Sequence, residues 1–147
     1  VGQETTAPKT QPLPFSHKLH SKYMPRCSFC HAISAVDGDI SLPPEAKCMQ
    51  CHDAIAVDSP TIRSLAQSYK DKTPIGWVQV YELPDYVYFS HSVHATKSKI
   101  ECQTCHGPVA ERDQLTKEKP ITMTACVECH RSSHAPVKCN TCHVANP

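Results

Sequence analysis

Phe89-Ser90-His91-Ser92-Val93-His94, a seven-residue spacer, then Cys102-Gln103-Thr104-Cys105-His106: residues 89–106 carry an arrangement that the chain uses twice. The earlier copy is Phe15-Ser16-His17-Lys18-Leu19-His20 and, after six residues, Cys27-Ser28-Phe29-Cys30-His31. Each copy leads to a proline-bearing stretch and a second Cys-x-x-Cys-His. Leu42-Pro43-Pro44 precedes residues 48–52, and Lys119-Pro120-Ile121 precedes residues 126–130. A further such motif occupies residues 139–143. The order of elements is that of an internal duplication, with two motifs in the first unit and three in the second.

Ten cysteines in 147 residues most often build a disulfide framework in a secreted chain. Here they fall as five complete pairs: Cys27 and Cys30, Cys48 and Cys51, Cys102 and Cys105, Cys126 and Cys129, Cys139 and Cys142. Each pair is followed at once by histidine, namely His31, His52, His106, His130 and His143. Composition alone puts a histidine at such a position about once in fifteen trials. Zinc ribbons consume cysteine pairs two at a time and give no reason for the adjacent histidine. Haem attachment does: two thiols three residues apart form thioethers with one porphyrin, and the next residue is delivered to its iron as the proximal ligand. Five covalently bound haem c groups are the expectation.

Thioether attachment takes place outside the cytoplasm, so the expected location is periplasmic or extracellular. The start at Val1 reads as a processed terminus or a fragment boundary, with no charged and apolar leader ahead of it. No apolar run is long enough to span a bilayer. The polypeptide carries a formal charge of +1. Propionates and irons bring the oxidised holoprotein to about −4 and the reduced one to about −9. Basic or neutral partner surfaces suit that balance, and nothing resembles a nucleic-acid footprint.

With 39% apolar residues, thirteen prolines and only 6% aromatics, a large conventional core is excluded, and the chain needs its cofactors to offset the entropy of ordering its loops. The expected architecture is mostly irregular, with short α-helices and a small β-hairpin around a haem core. Residues 1–12 read as a flexible N-terminal arm, 13–58 as a first unit with two haems, 59–88 as a connector, and 89–147 as a second unit with three. Within the connector, Ser59-Pro60 reads as a cap and first helical position, and Ile62, Leu65, Ala66 and Tyr69 recur at helical spacing. The stretches 77–81 and 86–89 alternate like two strands broken at Leu83-Pro84-Asp85.

Five histidines remain: His17, His20, His91, His94 and His134. Four form His-x-x-His pairs at matching places in the repeat. At i and i+3 of a helical turn the two rings diverge by about 60°, enough for one segment to reach two porphyrins. Phe15 and Phe89 can then lie against a porphyrin face, and Ser16 and Ser90 can cap the turn. The simplest assignment pairs His17 with His31, His20 with His52, His91 with His106, His94 with His130, and His134 with His143, although the second histidine of a pair can also cross between units. Met24, Met49 and Met123 read as packing residues. Irons with two imidazoles each have no open position, which favours electron transfer over catalysis.

The Phe-Ser-His-x-x-His element followed by Cys-x-x-Cys-His resembles the class III cytochromes c, the tetrahaem c3 and trihaem c7 group. The stretch 77–91 and the run Cys102-Gln103-Thr104-Cys105-His106-Gly107-Pro108-Val109 are similar to the pentahaem subunit of alternative complex III, a bacterial quinol-oxidising membrane assembly. The resemblance spans residues 13–143. It implies an electron carrier between redox partners, donor and acceptor cytochromes or a quinol-oxidising membrane complex. A subunit of such a complex, a multihaem reductase with one open iron, and a filament or other homo-oligomer of stacked copies are the competing readings.

Overall fold

The computed structural model describes residues 7–143. Its elements are short: α1 (His17–His20), α2 (Glu45–His52), α3 (Pro60–Asp71), α4 (Cys102–His106), α5 (Met123–Ser132) and α6 (Cys139–Cys142), with 3-10 turns at Cys27–Phe29 and Val109–Glu111 and a π-helical turn at Ser92–Lys97. No sheet forms among the described residues, where the only β pairings are the isolated bridges Ile33 to Ile40 and Val87 to His143. Leu65 on α3, 6% exposed, is the one buried apolar side chain among them. The accessible surface is 11225 Å², against about 7,500 Å² for an ordinary folded chain of this mass. The polypeptide by itself therefore lacks the burial that holds a domain together.

The connector helix forms as its pattern dictates. Pro60 opens α3, and the chain stops at Lys72, which turns left-handed (φ 54°) while the Lys72 and Thr73 amides bond back to Tyr69 and Ser68. The helix packs on α2.

The expected hairpin over residues 77–89 does not form. Each of its two extended segments satisfies its backbone elsewhere. Gln11 brackets Val78, donating to its carbonyl at 2.8 Å and accepting from its amide at 2.9 Å, and Lys9 reaches the Gln79 carbonyl at 2.6 Å. The second segment lies against the last motif, with the Tyr88 amide on the Cys142 carbonyl at 2.7 Å. Alternation marks extended chain, and Pro84 between the segments leaves them free to take different neighbours. Of the arm expected over residues 1–12, residues 1–6 lie outside the described residues, as do 144–147 of the second unit.

The parts ahead of and behind the connector interlock reciprocally. The Lys18 amide donates to the Arg112 carbonyl at 3.0 Å, and Ser16 Oγ to Asp113 at 2.6 Å. Conversely, the Ser92 amide donates to the Gly38 carbonyl at 3.2 Å. In each case the loop after one Cys-x-x-Cys-His braces the His-x-x-His turn of the other half.

Candidate functional site

The five Cys-x-x-Cys-His motifs all sit on helical turns: the 3-10 turn at Cys27–Phe29, then α2, α4, α5 and α6. A helical turn puts cysteines at i and i+3 on one side. The histidine then follows at i+4, its amide on the first cysteine's carbonyl at 2.9 Å in both the first and the last motif. All ten cysteines are free thiols. Burial, in each case the leading cause, pushes the thiols of Cys30, Cys48, Cys102, Cys105 and Cys126 up, and neighbouring sulfurs add to it. Apart from Cys129 beside Cys126, those neighbours belong to other motifs: Cys30 is near Cys51, Cys48 near Cys30, Cys102 near Cys27, Cys105 near Cys126 and Cys129, and Cys126 near Cys142. The motifs thus lie side by side in the order second, first, third, fourth, fifth.

The two His-x-x-His turns are built alike. Ser16 Oγ accepts from the Leu19 amide at 3.0 Å and Ser90 Oγ from the Val93 amide at 3.3 Å, so both serines cap their turns. The second histidine of each turn donates Nδ1–H to the carbonyl of that serine, His20 to Ser16 and His94 to Ser90, both at 2.8 Å. The phenylalanines pack on the histidines themselves. Phe15 stands edge-on to His17 (4.8 Å) and stacks on His20 (4.3 Å), and Phe89 does the same to His91 (4.9 Å) and His94 (4.4 Å).

Four of the expected histidine pairs are brought together. His17 and His31 have ring centres 6.4 Å apart and planes 11° apart; for His91 and His106 the values are 6.4 Å and 12°. His20 and His52 lie at 6.1 Å and 60°, and His94 and His130 at 6.0 Å and 42°. With metal–imidazole bonds of about 2.0 Å and about 1.1 Å from ring centre to nitrogen, two imidazoles on opposite sides of one iron have centres about 6.2 Å apart. The observed spacings match. The fifth expected pair, His134 with His143, is not brought together: His134 is exposed and its ring contacts no other aromatic ring among the described residues.

Protonation and orientation also suit ligation. A carbonyl only accepts, so a ring bonded to one through Nδ1 donates from there and turns Nε2 outward, the nitrogen left to bind a metal. His31 does so to Ser41, His52 to Ile55, His130 to Pro136 and His143 to Tyr86, at 3.2, 2.9, 2.6 and 3.2 Å. Burial, then the nearby His31 and His20, pushes His17 down to about 4. Burial also lowers His91, beside Asp39 and His94, and His106, beside His91 and His31. His91 Nδ1 is itself buried without a hydrogen-bond partner. These rings stay neutral at pH 7, the form a metal needs. No cluster of three or more His, Cys, Asp or Glu suited to a metal ion forms among the described residues. Paired imidazoles beside paired thiols fit a haem, whose porphyrin supplies the other four ligands, and do not fit zinc.

Five residues outside the attachment motifs and the His-x-x-His turns also contribute. Tyr81 stands edge-on to His106 at 4.7 Å, and its hydroxyl accepts from the Glu118 amide at 3.1 Å. Glu118 in turn holds Arg112 through two bonds of 2.6 and 3.1 Å. Gly38 (φ 76°) and Gly107 (φ 73°) are both buried in left-handed turns.

Thiol pairs with adjoining histidines on helical turns, and imidazoles set to face them, define a polypeptide for covalently attached haem. The family model described as "Cytochrome c7 and related cytochrome c" matches residues 87–144. The cytochrome c3 of Desulfuromonas acetoxidans is 36% identical over 58 residues, covering 40% of this chain and 81% of that protein. The multihaem cytochrome c subunit of menaquinone reductase from Nitratidesulfovibrio vulgaris (strain Hildenborough) is 29% identical over 92% of this chain and 77% of its own length. The chain belongs to the cytochrome c7/c3-like multihaem cytochromes c.

Proposed function

We propose that the chain is a pentahaem electron carrier that works in the periplasm or outside the cell, not itself an enzyme. The observation that carries this reading is the pair of matching ring geometries, His17 with His31 and His91 with His106, each beside its own thiol pair. Haem, when bound, supplies one-electron redox chemistry at iron. The polypeptide holds and orients it: Cys27, Cys30, Cys48, Cys51, Cys102, Cys105, Cys126, Cys129, Cys139 and Cys142 attach, His31, His52, His106, His130 and His143 ligate from one side, and His17, His20, His91 and His94 from the other. Imidazole on both sides keeps potentials at the low end of the cytochrome range. The equivalent turns, caps and ring pairs support two duplicated units, residues 13–58 and 89–147, joined by 59–88.

The test is near-infrared magnetic circular dichroism of the oxidised holoprotein. Four low-spin haems with nitrogen on both faces are expected, and a majority with methionine or open coordination contradicts the reading.

The likeness to the menaquinone reductase subunit along nearly the whole chain favours a second, compatible reading: the carrier docks on, or is part of, a quinone-linked membrane assembly. No helix among the described residues is long and apolar enough to cross a membrane. Affinity purification from membranes grown in the native host distinguishes a resident subunit, recovered in fixed ratio with quinone-site subunits, from a carrier that washes off in salt.

A further inference from the structure

The five attachment motifs do not share one ligand geometry. At the fifth, His143 is oriented like His31, His52 and His130: Nδ1 donates to the Tyr86 carbonyl, and the backbone is pinned by the Val87 bridge and by Tyr88 on Cys142. No second imidazole faces it among the described residues.

The one histidine left over is used otherwise. His134 follows the end of α5 with φ 54°; its amide bonds to the Arg131 carbonyl at 3.3 Å, and the Ala135 amide bonds to the His130 carbonyl at 2.7 Å. Those two bonds with a left-handed residue between them are a Schellman helix stop, a position that favours glycine and that histidine tolerates better than most residues. His130 Nδ1 on the Pro136 carbonyl at 2.6 Å fixes the residues that follow. The cap fixes the His134 backbone, and the exposed His134 ring meets no other aromatic ring among the described residues. Residues 1–6 and 144–147 contain neither histidine nor methionine.

We infer that the haem on Cys139, Cys142 and His143 has His143 as its single ligand from this chain and leaves the opposite axial position open to a small exogenous ligand, a diatomic such as carbon monoxide when reduced. This rests on the five-haem reading above and departs from the expectation that His134 completes the site.

The experiment is a carbon monoxide titration of the dithionite-reduced holoprotein, followed in the Soret band, on wild type and His134→Gly, each first shown by denaturing mass to carry five haems. Glycine suits the left-handed position, so the variant keeps the cap. One carbon monoxide per chain in both proteins is expected, with about one ferric haem in five high-spin by electron paramagnetic resonance and unchanged by the substitution. No binding by wild type overturns the inference. If His134→Gly alone gains a site, His134 is the sixth ligand. Two or more molecules bound to wild type also overturn it, because the paired sites are then open. A mass below five haems instead overturns the reading beneath, which separates the two failures.

Discussion

Replacing Gly38 with alanine tests whether the two halves brace each other's histidine turns. Gly38 is buried at φ 76°, and a Cβ there overlaps the Ser90 hydroxyl and sits 3.2 Å from Ser90 Cβ and 3.3 Å from Ser92 Cβ. Ser90 is 5% exposed and cannot swing out to solvent. It also caps the turn that carries His91 and His94. The left-handed conformation costs a Cβ about 1–2 kcal/mol, and overpacking adds about 1–3 kcal/mol. Gly38→Ala should therefore lose about 2–5 kcal/mol. Ser90→Ala removes the hydroxyl at a cost of about 1 kcal/mol for the cap, so in the double variant part of the overlap disappears and the two losses are not additive, by about 1–3 kcal/mol. Guanidinium titration of the oxidised holoprotein, followed by far-ultraviolet circular dichroism, measures all three. A single variant within about 0.5 kcal/mol of wild type, or strict additivity, means that the Gly38–Ser90 contact does not set the position of the second turn.

Three further outcomes are expected. His94→Met should keep every covalent haem yet raise the potential of one by about 59 mV or more, which corresponds to a tenfold change in relative affinity for the two oxidation states; His91→Met should move a different haem, and spectroelectrochemistry showing the same haem shifted twice would refute one turn holding two irons. Protein made without haem attachment should show a disordered circular dichroism spectrum, because Leu65 alone among the described apolar side chains is buried; a cooperative melt contradicts this. Stability of the holoprotein should fall as pH drops below 6.5, since burial already holds His17 below its ordinary value and an iron-bound imidazole takes up no proton, whereas one released on unfolding does; a flat stability curve between pH 7 and 4 contradicts this.

The parts of the site that were legible in sequence are those whose chemistry is local. A thiol pair and its histidine lie within one helical turn, so spacing alone displays residues 102–106 as an attachment motif. The His-x-x-His turns repeat with their own serine caps, so Ser16 and Ser90 were readable too. What was not legible depends on distant partners. The alternation at 77–81 and 86–89 records extended backbone but not its neighbour, and the neighbours turn out to be Gln11 and Cys142. Gly38 looks like any turn glycine until Ser90, far along the chain, closes over it. His134 differs again: counting histidines against haems pairs it with His143, and no count foretells that its backbone turns left-handed to stop a helix.

The central claim is covalent attachment of one haem at each of five motifs, and the intact mass of the purified holoprotein under denaturing, reducing conditions tests it most directly. The mass should exceed that of the polypeptide by five haems, with no thiol reactive towards iodoacetamide. An excess of four haems or fewer in fully matured protein, or alkylation at any of the ten cysteines, contradicts it.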